Sequence, residues 1–295
     1  MTHHRSKRLP VCSALLLLGL IGAAHAAPPA CAPRYPAPTT LAAMHDMAVM
    51  TADTLDALED VEVAIAARGG QDLSKYGLRH SHLAFLLRND AGQWEAVHLL
   101  NRCKSDTSLL YREGLVNLIG ESAVTTDLRV GIPTAPVRAA LRQLLTEPAT
   151  QARALHQPRY SMLAYPGGTD YQNSNQWILE VLGAAIADSR NAPALNDRKQ
   201  ALAWLQADGY APSKLHIGIG KRLGARFFAD NVAVTDHPAG ERISGNYSVV
   251  TVESVFDYLH HTKALTRELS IAHQPALTPA PVSGASSRLD EAGAH

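Results

Sequence analysis

The chain has only three cysteines, Cys12, Cys31 and Cys103, too few for a disulfide scaffold and in no zinc-type spacing. It has no excess of either charge sign, since Lys+Arg and Asp+Glu stand at 27 each. That balance excludes the summed positive field by which a basic protein holds nucleic acid or an anionic membrane. Aromatics make up 5% of the residues, and there is no Gly-rich phosphate loop and no internal repeat. No apolar run reaches the roughly 20 residues that a bilayer-spanning helix needs. What remains is an ordinary globular composition, 46% hydrophobic and 18% charged over 295 residues, long enough to bury a core.

The two ends read differently from the middle. Arg5, Lys7 and Arg8 precede an apolar run from Val11 to Ala24, closed by Ala24-His25-Ala26. This is the pattern of a secretory signal peptide cleaved after Ala26, which implies a periplasmic or secreted protein with no membrane span after cleavage. Residues 27–38 form a Pro-rich leader, 39–265 a single α+β domain and 266–295 a tail expected to be disordered. Export leaves Cys31 and Cys103, and an isolated pair in an oxidising compartment is expected to form a disulfide.

Within the domain, apolar spacing predicts helices over Thr39–Leu58, Thr134–Leu145, Asn173–Ala187, Asp197–Ala207 and Ser254–His261. Strands are expected at Val61–Ala67, His82–Arg88, Trp94–Leu100, Thr126–Ile132, Lys214–Ile219 and Asn246–Val252. Residues 101–124 show no sustained period. Strands clustered in the first half, with helices around them, point to an antiparallel sheet core with packed helices.

The densest chemistry is Arg79-His80-Ser81-His82, followed across a turn of Asn89-Asp90-Ala91-Gly92 by Val97-His98-Leu99. A three-residue loop with Gly92 left-handed would set Ala84 opposite His98, and His82 one diagonal step away on the same face. A two-residue loop would put the two histidines on opposite faces. The second feature is Tyr171-Gln172-Asn173-Ser174-Asn175-Gln176-Trp177, a polar opening to an apolar helix. Free N–H groups and the dipole at such a start favour an attacking oxygen and can hold an oxyanion, although Ser and Asn are also common helix caps.

These segments, in the order His, His, Asn-Ser, resemble the circularly permuted papain-like folds of NlpC/P60 peptidases and the lecithin:retinol acyltransferase group. Ser174 stands where that group has cysteine, and Gly70-Gln71-Asp72-Leu73 looks like the turn before its histidine strand. From about Val61 to Phe256 the chain more closely resembles the bacterial family catalogued as domain of unknown function 2145, through Ser81-His82, Asn101-x-Cys103 and Tyr171 to Trp177. The papain-like resemblance implies a hydrolase or acyl transferase: Ser174 as nucleophile, His82 as base, His98 orienting it, and Asn173 or a backbone N–H holding the oxyanion. Arg79, His80, Tyr171 and Gln176 form the expected substrate-binding set, and no cofactor is implied. Two alternatives stand beside this reading. One is an inactive envelope protein that keeps the cleft to bind a small molecule, peptide or cell-envelope ligand; the other is a three-His zinc site of His80, His82 and His98.

Overall fold

In the computed structural model of the chain, the residues described are 36–70, 72–103, 105–120, 127–146, 151–222 and 231–272. The segment expected to be a signal peptide, Cys31 and residues 273–295 lie outside them.

Six strands form one antiparallel sheet: β1 (Val63–Arg68), β2 (His82–Arg88), β3 (Trp94–Asn101), β4 (Ser108–Gly114), β5 (Asp127–Pro133) and β8 (Leu265–Ala272), in the order β4-β3-β2-β1-β5-β8. Two short strands, β6 (Ser213–His216) and β7 (Asn246–Val249), pair separately. β1 is buried at every position because helices cover both faces. Val63, Ile65, Phe85, Leu87 and Leu99 face α3 (Ala135–Thr146), the long α5 (Ser174–Ser189) and α8 (Val252–His261). The alternate residues Ala64, Ala66, Ala84, Leu86 and Ala96 face α1 (Pro38–Asp56) and α2 (Leu115–Gly120). Short helices α4 (Gln151–Ala154), α6 (Arg198–Ala207) and α7 (Ala239–Ser244) complete the described set. Among the described residues no helix is long and apolar enough to cross a membrane.

Helix α5 is buried throughout Ser174–Ala187, because it is apolar around its whole circumference rather than along one stripe. Trp177 anchors it, packing edge-on against Phe85 with centroids 5.8 Å apart and donating its indole N–H to the Ala152 carbonyl at 2.9 Å.

The β2–β3 turn takes the three-residue form. Asn89 N–H donates to the Gln93 carbonyl, Gly92 sits at φ 77, and Arg88 stands opposite Trp94. A positive φ at that point needs a residue without Cβ strain, which glycine supplies.

Two stretches of the chain depart from the expectation. Residues 101–124, without a period, contain β4 and α2. The expected tail does not start at 266: β8 runs through Ala272 and pairs with β5 from Pro133 to Asp127. Both missed strands are sheet edges, where one side carries no partner strand and the in–out alternation blurs.

Candidate active site

The site lies where β2 and β3 part. β2 pairs with β3 from Arg88 to Phe85, yet stays on β1 as far as His82, while β3 stays on β4 as far as Asn101. An unbroken ladder would hand the Leu83 N–H to Leu99; Asn175 takes it instead. Its side-chain oxygen accepts from Leu83 N at 3.0 Å, and its amide nitrogen donates to the Ser81 carbonyl at 3.2 Å. Asn175 thus fills a gap in the sheet with the first turn of α5 and fixes where Ser174 lands. Asn173 caps the same turn, its side-chain oxygen accepting the Gln176 N–H at 2.7 Å.

Four side chains follow from that placement. Ser174 Oγ lies 3.2 Å from His82 Nδ1, His82 Nε2 lies 2.8 Å from His98 Nδ1, and His98 Nε2 lies 3.0 Å from Glu113 Oε1. The two histidines share the sheet face that carries Ala84 and Ala96, and Glu113 stands opposite Ala96 on β4. Ser174 and His82 keep 8% and 7% of their surface and His98 is sealed at 0%, while the Glu113 side chain at the other end of the row keeps 19%.

Burial pulls the His82 imidazole well below its ordinary 6.5, and the electrostatic influence of Arg68 and of the His98 ring acts in the same direction. The ring is therefore neutral at neutral pH. The hydrogen bond from His98 holds the Glu113 carboxyl below its ordinary range, against the opposing effect of burial. Tyr160 also reaches Ser174: burial pushes its phenol up to about 12, and the hydrogen bond with the serine opposes that rise. A phenol that keeps its proton is a donor. The bridge between Tyr160 and Gln172 sets this segment beside the start of α5.

Other expected site residues lie elsewhere. Asn173 is spent on its cap, and its amide nitrogen points to the Val250 carbonyl at 3.5 Å, so its side chain is no oxyanion donor. Arg79 and His80 both turn to Asp127, at 3.0 Å and 3.3 Å. The Arg79 side chain remains 69% exposed, and the contact with Asp127 turns His80 away from His82 and His98. His82 and His98 are hydrogen-bonded to one another, which leaves no place for an ion between them. Among the described residues no group of three or more His, Cys, Asp or Glu is placed to hold a metal. Gln176 is fully buried beside Glu180, itself ion-paired with Arg198, and is inaccessible to a ligand. Tyr171 stacks under the Arg159 guanidinium, 4.5 Å from its ring centroid.

Glu113 and Tyr160 were not visible in the sequence reading. The spacing of β4 carries no alternation, but a lone acid in an otherwise uncharged-to-basic stretch, Leu109-Leu110-Tyr111-Arg112-Glu113-Gly114, was the available signal.

A family model described as an uncharacterized protein conserved in bacteria, DUF2145, matches residues 54–259. No curated protein and no solved structure matches the chain.

Proposed function

This chain belongs to the bacterial family DUF2145, and we propose that it is an exported serine-type hydrolase or acyl transferase with Ser174 as nucleophile and His82 as its base. The observation that carries the reading is the unbroken row from Ser174 through His82 and His98 to Glu113. A capping serine needs none of it, and here Asn173 already caps α5.

The chemistry follows from the positions. Ser174 Oγ forms a bond to an acyl carbon while its proton passes to the neutral His82 Nδ1, and the carbonyl electron pair moves onto oxygen. Donors for that oxyanion are close: the Ser174 and Asn175 N–H groups, which belong to the first helical positions and have no intrahelical acceptor, and the Tyr160 phenol. Collapse of the tetrahedral species breaks the bond to the leaving group, which takes the proton from His82. Water or a second nucleophile then releases the acyl group from Ser174 by the same steps. The papain-like resemblance supports this order of residues, with oxygen in place of sulfur. A thiol would gain from forming a thiolate–imidazolium pair, but a histidine that burial keeps neutral suits a hydroxyl, whose proton leaves only during the step.

The reading is tested with p-nitrophenyl acetate. The mature protein should release one equivalent of nitrophenolate in a burst and carry an acetyl group on Ser174 by peptide mass mapping, and Ser174→Ala should do neither. A folded wild-type protein without burst or adduct would favour a cleft that binds and does not react. The export half of the proposal expects an N-terminus at Ala27.

A further inference from the structure

A row of two imidazoles has two polarities, and only one of them leaves His82 able to take a proton. In the first, His98 Nε2–H donates to Glu113, the bare His98 Nδ1 accepts from His82 Nε2–H, and the bare His82 Nδ1 accepts from the Ser174 hydroxyl. In the second, the His98 hydrogen sits on Nδ1 and its bare Nε2 faces Glu113, His82 accepts at Nε2, and its Nδ1–H donates to Ser174, which closes the base. The distances of 3.2, 2.8 and 3.0 Å fit either polarity, so the choice belongs to the group at the far end.

That group is Glu113. An ionised carboxylate has only acceptor oxygens, so the hydrogen of the 3.0 Å contact sits on His98 Nε2. The carboxylate is itself held in place: it stands on β4 diagonally across from His98, with the Asn117 side chain of α2 hydrogen-bonded to it and Arg68 close enough to favour its charge.

We propose that Glu113 is the positioning residue of this site, setting the tautomer of His98 and through it that of His82, so that the bare Nδ1 of His82 faces Ser174. The proposal rests on the serine reading for its use, though not for its test. A glutamine at 113 has the same shape but can turn either an oxygen or an amide N–H to His98, and the second choice drives the row to the closed polarity. In a Ser-His-Asp triad the matching acid-to-amide change leaves geometry intact and lowers turnover about 10⁴-fold through the wrong tautomer.

The test is nitrogen-15 NMR of the full-length mature protein with labelled histidine, read at neutral pH beside phosphonate labelling of Ser174. The expected wild-type spectrum has both rings protonated at Nε2 and bare at Nδ1. Glu113→Gln should place an Nδ1–H on His82 in part of the molecules and slow phosphonate labelling at least tenfold, with the thermal midpoint little changed. Glu113→Asp, which keeps a carboxylate, should keep the wild-type tautomers. A wild-type His82 bearing Nδ1–H overturns the proposal by itself, even if Glu113→Gln fails to fold. So does a folded Glu113→Gln whose spectrum and labelling rate match wild type. Correct wild-type tautomers without any labelling of Ser174 would instead sink the serine reading and leave the role of Glu113 intact.

Discussion

His82 has to stay neutral if it is to receive a proton from Ser174, and burial secures this before any neighbour acts, with Arg68 and His98 adding to the effect. The same shift makes the residue a sensor of acid. Its folded pKa lies below the unfolded value of about 6.5, so between the two the unfolded chain binds more protons. The stability it contributes is therefore complete above pH 6.5 and is lost as pH falls toward the folded value. Glu113, lowered from 4.5 by its bond from His98, adds a second loss below that pH. Urea titrations at pH 7 and pH 5 should show wild type weakening by up to about 1.4 kcal/mol per pH unit and per proton, a dependence that His82→Gln should reduce. An unchanged pH slope in that variant would mean His82 is not held neutral by the fold. At this scale the sequence carried Ser174, His82 and His98 through residue type and order alone. It did not reveal that Asn173 caps α5 and that Arg79 and His80 pair with Asp127, because a residue name does not say whether a cap or a neighbouring acid has already claimed the side chain.

The element that makes the site is the first turn of α5, and the device is Asn175 acting as a missing strand residue. Asn175→Ala leaves the Leu83 N–H and the Ser81 carbonyl without their side-chain partner. A loss of about 1–3 kcal/mol is expected for buried groups stripped this way, measured by chemical denaturation, together with a weakened Ser174 reaction. Loss of stability with no change in reactivity would mean the clamp does not position the serine. Trp177→Ala should cost about 3–5 kcal/mol, the usual range for emptying a large aromatic site, and it also strips the Ala152 carbonyl of its indole N–H donor. Strand β2, the turn and strand β3 were legible because Asn89-Asp90-Ala91-Gly92 sits between two apolar runs. Their parting beyond Phe85 was not, since it depends on a helix start 90 residues away in sequence, a contact that local periodicity does not encode.

At the scale of the molecule, the layered α+β arrangement follows from alternating strands and a helix apolar on all sides, both readable from spacing. The sheet's edges were not: β4 and β8 have charged and half-exposed positions that look like loop. β8 nevertheless covers β5, so a chain ended at Lys263 should melt well below one ended at Ala272; equal midpoints would show that the edge strand contributes little. The central claim is that Ser174 is a nucleophile because His82 takes its proton, and covalent trapping reads this most directly. The folded protein treated with a fluorophosphonate should gain a single adduct, mapped to Ser174, that is absent after denaturation in urea, and His82→Ala should form it about 10²-fold more slowly or worse, the scale of a lost general base. A folded protein that leaves Ser174 unmodified, or a His82→Ala variant labelled as fast as wild type, would contradict the account.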